Sequence, residues 1–308
     1  MPGLPDVHPR PGLPPAVTVY EVGPRDGLQA EAAIVPVEVK VELIDRLGGA
    51  GLNVIEATSF VAPSWVPQLA DAEQVMAGLQ RRPGVRYPVL TPNRRGFDRA
   101  VAAGADEVAV FVSATETFAS RNLNTTRDGA MAMAAPVIEA AREHGLRVRG
   151  YVSMGFGDPW EGRVDPEQTA SVAARLFALG CATVSLGDTI GVGTPGQVQV
   201  VLQTVAAAGV PLSQVALHLH DTYGQALANV LAGLEAGVTE FDASTGGVGG
   251  CPFAKSATGN LATEDLVWML DGLGISHGLD LSALVRTSRW LAEHLGRPSP
   301  SRVVAALG

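Results

Sequence analysis

From Val17 onward the chain repeats one unit eight times: a short β-branched run, a polar or glycine-containing turn, then a longer alanine-rich stretch with apolar residues at helical spacing. Strands are expected at Val17 to Val22, Asn53 to Ser59, Arg86 to Leu90, Glu107 to Ser113, Arg147 to Ser153, Thr183 to Gly187, Val215 to His220 and Glu240 to Ser244. Helical patterns lie between them, among them Val37 to Ala50, Arg127 to His144, Pro166 to Leu179, Pro195 to Ala208 and Gln225 to Ala236. Gly51, Gly104, Gly145, Gly180, Gly209 and Gly237 close six of the helices, as expected of the residue type that ends a helix most readily. Eight βα units in 308 residues fit a closed (β/α)8 barrel better than an open sheet. Leu281 to Leu295 reads as an extra C-terminal helix, and the proline-rich residues 1–16, without periodicity, as a flexible arm before a single barrel domain at 17–308.

Barrels of this kind collect their chemistry at the C-terminal ends of the strands and in the loops that follow. The unusual polar residues of the chain fall in those places. The segment ALHLHDTYGQALANV, Ala216 to Val230, sets His218 and His220 on the same side of a strand that is otherwise apolar. Two imidazoles facing one way are costly to bury unless something binds them, and a divalent metal is the usual ligand partner. EVGPRDGLQ, Glu21 to Gln29, follows the first strand; Glu56 lies in the second; Asp188 follows the sixth; and the glycine-rich run Ser244 to Asn260, holding Cys251, follows the eighth.

Taken singly, most of these residues have plainer explanations. Asp26-Gly27 is an ordinary turn dipeptide, Asn260 could cap a helix starting near Leu261, and a lone Cys251 is more often an inert small side chain. Glu56 could pair with a buried arginine, and Asp188 could only steady the loop into the helix at Pro195. The histidine pair is harder to explain away. His8, His144, His277 and His294 lie in helical or loop stretches without partners and are expected at the surface. GVGTPG, Gly191 to Gly196, has the spacing of a dinucleotide-binding loop, but it sits late in the chain, no acid follows at the required distance, and Thr194-Pro195 gives an ordinary helix start.

Composition narrows the partners. A net charge of −9 argues against nonspecific nucleic-acid binding while leaving room for a local basic pocket that takes a phosphorylated small molecule. Cys181 and Cys251, seventy positions apart, form neither a disulfide framework nor a zinc ribbon, which suits a reducing compartment. No apolar run is long enough to cross a bilayer, and the N-terminus lacks the apolar core of an export signal, so a cytoplasmic protein without a membrane partner is expected.

With these residues laid out, the chain resembles the 3-hydroxy-3-methylglutaryl-CoA (HMG-CoA) lyase family, part of the metal-dependent superfamily that also holds isopropylmalate synthase and homocitrate synthase. The matching segments are EVGPRDGLQ, VIEATSFVAPSWVPQ, YPVLTPN, SLGDTIGVGTPG, HDTYGQALAN and GGCPFAKSATGNLATEDLV, spread over nearly everything after Val17. The resemblance implies a TIM barrel and metal-dependent cleavage of HMG-CoA to acetoacetate and acetyl-CoA, the chemistry of leucine degradation and ketone-body formation. It implies Asp26, His218, His220 and Asn260 as ligands of Mg2+ or Mn2+, and Cys251 as the catalytic cysteine. Arg25 would contact the thioester oxygen, Gln29 would bind substrate, and Glu56 and Asp188 would support the metal and the proton transfers. A homodimer is expected on the same ground.

Breaking the C2–C3 bond requires loss of a tertiary hydroxyl proton and a place for negative charge on the departing enolate. A metal serves the first need, a fixed guanidinium the second, and a tuned thiol can carry a proton. The loop departs from the family pattern at Phe253, Ser256 and Thr258, and Asp158 stands where many relatives have cysteine. The missing transit peptide and the alanine, arginine and glycine content suggest a bacterial protein. Alternatives are a lyase for a longer 3-hydroxy-3-substituted glutaryl-CoA, an enzyme condensing acetyl-CoA with a 2-oxo acid, or a barrel kept for binding without turnover.

Overall fold

The computed structural model describes residues 4–250 and 259–307. Eight parallel strands form one sheet: β1 (Thr18–Glu21), β2 (Thr58–Ser59), β3 (Val89–Leu90), β4 (Glu107–Ser113), β5 (Arg147–Ser153), β6 (Thr183–Asp188), β7 (Val215–Leu219) and β8 (Glu240–Ala243). From β2 to β8 each strand pairs with the next, and β1 pairs with β8, Tyr20 opposite Asp242. The remaining seam, between β1 and β2, is closed where Glu21 N donates to Val54 O at 3.2 Å and Glu56 N to Glu21 O at 2.8 Å. All eight expected strands are present in a TIM barrel. The second and third are shorter than expected. Pro88 has no N–H to donate, so the β2–β3 ladder is interrupted at that point and resumes at Val89.

The helices are α1 (Val37–Gly49), α2 (Ala72–Gly78), α3 (Arg94–Ala102), α4 (Glu116–Leu123), α5 (Arg127–Glu143), α6 (Pro166–Leu179), α7 (Pro195–Ala207), α8 (Ala226–Ala236), α9 (Thr263–Leu273), α10 (Leu281–Leu295) and α11 (Arg302–Leu307). In α6 the local rules all agree. Asp165 and Gln168 form a capping box, Pro166 opens the helix, and Gly180 ends it at φ 110°, a value that a side chain would strain. Its buried stripe, Thr169, Ala170, Val172, Ala173 and Leu176, lies against the sheet, where Leu176→Ala would cost about 2–5 kcal/mol. Thr194 and Pro195 stand at the start of α7 as expected, although the Thr194 hydroxyl makes no capping bond.

Alternate strand residues face outward into this layer, among them Val108, Val110, Val112, Val148, Val152, Val184, Leu186, Leu217 and Leu219. The other set faces into the barrel, and there the composition changes to Tyr20, Arg149, Tyr151, Ser185, His218 and Asp242, all buried. At the opposite end, the proline-rich arm is tied to the barrel: His8 N donates to Gly272 O at 2.8 Å and Arg10 pairs with Glu235 at 2.6 Å. The expected C-terminal helix is α10, packed against α1. α11 was not expected; Asp265 organises its start by accepting from the N–H groups of Arg302 and Val303 and from the Ser301 hydroxyl. Among the described residues no helix is long and apolar enough to cross a membrane.

Candidate active site

The EVGPRDGLQ segment leaves β1 in a wide helical turn, Gly23–Gly27, in which the Val22 carbonyl accepts from the N–H groups of Arg25, Asp26 and Gly27 at 3.1, 2.8 and 3.1 Å. Such over-wide turns are frequent at functional sites because they re-aim consecutive side chains. Gly23 is there for space: a Cβ would stand 2.6 Å from Glu21 Oε1, whose carboxylate accepts the Gly23 N–H at 2.8 Å. The turn delivers Arg25 and Asp26 side by side over the barrel mouth.

Arg25 is buried and fully engaged. Its Nε donates to Glu56 Oε2 at 2.8 Å, its Nη2 lies 2.7 Å from the same oxygen, and Nη1 donates to Asp26 Oδ1 at 2.6 Å. The guanidinium carbon also stands 5.4 Å from the centre of the Tyr151 ring, and the Tyr151 hydroxyl donates to Glu56 Oε2 at 3.2 Å. Burial raises the Glu56 carboxyl above its ordinary range while Arg25 pulls against that shift. Burial acts in the same direction on Asp26, but there Arg25, His218, His220 and the Asn260 amide outweigh it and hold the carboxyl well below the usual range.

The histidines of β7 meet this pair. His218 Nε2 lies 3.3 Å from His220 Nε2 and 3.8 Å from Asp26 Oδ2, and Asn260 Nδ2 donates to that same Asp26 oxygen at 2.9 Å. Asp26, His218 and His220 can present ligand atoms that all lie within 4.8 Å of one another. Asn260 sits opposite His220 in an isolated bridge, with its Oδ1 buried and unpartnered. Gly249 passes so close that a Cβ there would meet Asn260 Nδ2 at 2.4 Å. Cis positions of an octahedron with bonds of about 2.1 Å are about 3 Å apart, close to the spacing of the two imidazole nitrogens, and mixed oxygen and nitrogen donors suit Mg2+ or Mn2+. The residues therefore fit a divalent ion.

Of the residues singled out in the sequence, Arg25, Asp26, Glu56, His218, His220 and Asn260 converge. Asp188 lies beside them through its backbone, its carbonyl accepting from His220 N at 3.3 Å, but its carboxylate accepts from Val192 N and Gly193 N, both at 2.9 Å. Burial pushes that carboxyl up to about 6 against those donors. Gln29 is half-buried just beyond the turn. Cys251, with Phe253, Ser256 and Thr258, lies outside the described residues. His8, His144, His277 and His294 stay out of the site, but they do have partners: Asp6, the Ala140 carbonyl, Asp271 and the Trp290 carbonyl.

Sequence reasoning missed Tyr151, Arg149, Ser185 and Asp242, which line the barrel beneath the histidines. Arg149 pairs with both Glu240 and Asp242, and its guanidinium stands 4.0 Å from the centre of the Tyr20 ring. Arg149-x-Tyr151 in β5 and Glu240-x-Asp242 in β8 carry the available signal, polar residues at the inward period of strands in a closed barrel.

A model of the HMGL-like family matches residues 16–291. Over 294 residues the chain is 53% identical to the mitochondrial hydroxymethylglutaryl-CoA lyase of Rattus norvegicus, covering 96% of this chain and 90% of that protein. It is also 53% identical over 296 residues to the mitochondrial hydroxymethylglutaryl-CoA lyase of Arabidopsis thaliana, of whose length it spans 63%. Among solved structures, hydroxymethylglutaryl-CoA lyase from Pseudomonas aeruginosa matches with a TM-score of 0.94 at 50% identity, covering 96% of this chain and 98% of that one.

Proposed function

This chain belongs to the HMGL-like family, and from that premise we infer that it is a carbon–carbon lyase cleaving 3-hydroxy-3-methylglutaryl-CoA to acetoacetate and acetyl-CoA. The observation that carries this reading is the junction of two groups at one strand-end mouth: the donor set Asp26, His218, His220 and Asn260, and a buried guanidinium directly beside it.

Asp26, His218, His220 and Asn260 would hold Mg2+ or Mn2+, whose Lewis acidity when bound makes the tertiary hydroxyl of the substrate easier to deprotonate. The chain's own residues do the rest. Arg25, gripped by Glu56 and Asp26 and backed by Tyr151, presents a fixed cation for the charge that develops on the thioester oxygen as acetyl-CoA departs as its enolate. It needs no reorganisation at that moment, because its orientation is already determined by three neighbours. Glu56, without exposure to water, holds the guanidinium in place and limits its approach to one direction. Gln29, two residues beyond the same turn, would contact the acyl-CoA. Asp188 and Cys251 are the candidates for moving protons. Asp188 is buried with its carboxyl pushed up to about 6, and Cys251 lies two positions after Gly249, which borders Asn260.

The test is direct. Chelator-stripped protein is incubated with 3-hydroxy-3-methylglutaryl-CoA, with and without Mg2+ or Mn2+, and both acetoacetate and acetyl-CoA are measured beside a Cys251→Ala control. Metal-dependent formation of both products, cut by about a hundredfold or more in the control, is expected. No product from the parent protein with metal bound would overturn this choice of substrate.

A further inference from the structure

His218 is held from behind by a carboxylate. With one oxygen Asp242, fully buried on β8, stands 3.1 Å from His218 Nδ1 and accepts from the Ser185 hydroxyl at 3.2 Å, while its other oxygen pairs with Arg149. Arg149 is anchored in turn by Glu240 and by the face of Tyr20. The arrangement ties β5, β6, β7 and β8 together across the barrel interior. Register dictates it: His218 and Asp242 are paired neighbours in the β7–β8 ladder, so a slip of one residue would turn one of them to the outer face.

We propose that Asp242 is a positioning residue for the metal site, fixing His218 with Nδ1 protonated and the lone pair of Nε2 aimed at Asp26 and His220. The inference rests on the reading of Asp26, His218, His220 and Asn260 as metal ligands. The Asp242 carboxylate is paired with Arg149 and already accepts from Ser185, so it faces His218 as an acceptor and the ring nitrogen opposite it carries the hydrogen. That leaves Nε2 as the free donor atom of the neutral ring, and Nε2 is the nitrogen 3.8 Å from Asp26 Oδ2 and 3.3 Å from His220 Nε2. A carboxylate serving only as the counter-ion of Arg149 would not need its second oxygen directed at the back of an imidazole. Carboxylate–histidine–metal triads work in this way, orienting the ligand ring and raising its basicity.

Two measurements test this. In metal-free parent protein, at a pH where the ring is neutral, the 15N shifts of His218, assigned with a His218→Gln variant, are expected to show hydrogen on Nδ1. Hydrogen on Nε2 would overturn the inference whether or not any variant folds. Binding of Mn2+ to the metal-free protein, followed by the electron paramagnetic resonance of the free ion, is expected to weaken about 10–100-fold in Asp242→Asn. The amide can offer its N–H2 to Nδ1 and so place the ring hydrogen on Nε2. Unchanged Mn2+ affinity in folded Asp242→Asn would also overturn the inference. If the parent itself binds no Mn2+, it is the ligand assignment that fails, and the nitrogen shifts distinguish the two cases.

Discussion

Arg25 and Arg149 are both buried, both are clamped between two carboxylates, and their guanidinium carbons stand 5.4 and 5.1 Å from the centre of the same ring, that of Tyr151. They differ in what surrounds the acids. Around Arg149, the Asp242 side chain is wholly buried and its remaining lone pairs are taken by His218 and Ser185. Around Arg25, the Asp26 side chain is 21% exposed, and Glu56 Oε1 and Asn260 Oδ1 are buried without partners. Buried acceptors without partners are costly, so unused ones at a barrel mouth mark where a ligand is meant to be. In the deep clamp the buried atoms left without partners, Arg149 Nε and the Tyr20 hydroxyl, can donate; in the mouth clamp they are acceptors, the kind that a bound cation takes.

The sharpest way to break this contrast is to remove each cation in turn. Arg25→Gln should lower kcat by about 10²–10³-fold, the cost of losing a preorganised donor to a developing oxyanion. KM for 3-hydroxy-3-methylglutaryl-CoA should move far less, because the charge that Arg25 meets exists mainly in the transition state. Steady-state kinetics of the Mn2+-loaded protein reads both. A variant with parental kcat would remove Arg25 from the chemistry and make the mouth clamp merely structural. Arg149→Met should instead show its main effect in urea unfolding, with a stability loss of about 3–5 kcal/mol, since Asp242 is left as an uncompensated charge in the barrel interior. A loss below about 1 kcal/mol would place this pair with exposed ion pairs and end the claim that the deep clamp is structural.

The two clamps also differ in how visible they were in the sequence. Arg25 and Asp26 sit in a conspicuous segment at a strand end and Glu56 is an acid within an expected strand, and the eight-unit rhythm alone indicates where those strands meet. Arg149 and Asp242 are ninety-three positions apart, each in a strand whose alternation looks ordinary. Nothing local indicates that the inward face of β5 crosses the barrel to β8. The boundaries of β2 and β3 escaped for a smaller reason, the missing N–H of Pro88, although Pro88 itself was in view. α11 escaped because its start is organised by Asp265, thirty-seven positions earlier, rather than by a capping residue beside it. Patterns with periods of two or four residues were legible; hydrogen bonds that span the chain were not.

Glu21 sharpens the comparison from the other side, as a buried acid whose hydrogen-bond donors include no cation. Its Oε1 accepts from Gly23 N and Thr245 N, both at 2.8 Å, and its Oε2 from the Thr263 hydroxyl at 2.7 Å. Burial pushes its carboxyl from an ordinary value of 4.5 up to about 8, the donors opposing but not cancelling the shift. Between those two values the folded chain keeps a proton that the unfolded chain has released, so stability falls as pH rises through the window. Glutamine at this position keeps an oxygen for the two N–H groups, turns its amide toward the Thr263 hydroxyl and cannot ionise. Glu21→Gln should therefore flatten the fall and make the protein more stable than its parent at pH 8 by about 1 kcal/mol or more. Part of the slope should survive, because Glu264, buried against Gly246 N and Ser288, is likewise raised to about 7. Urea midpoints collected from pH 5 to 8 check this. If the variant follows the parental curve, Glu21 is ionised in the fold, and neutral N–H and O–H donors alone hold a buried charge that at Glu56 has a guanidinium beside it.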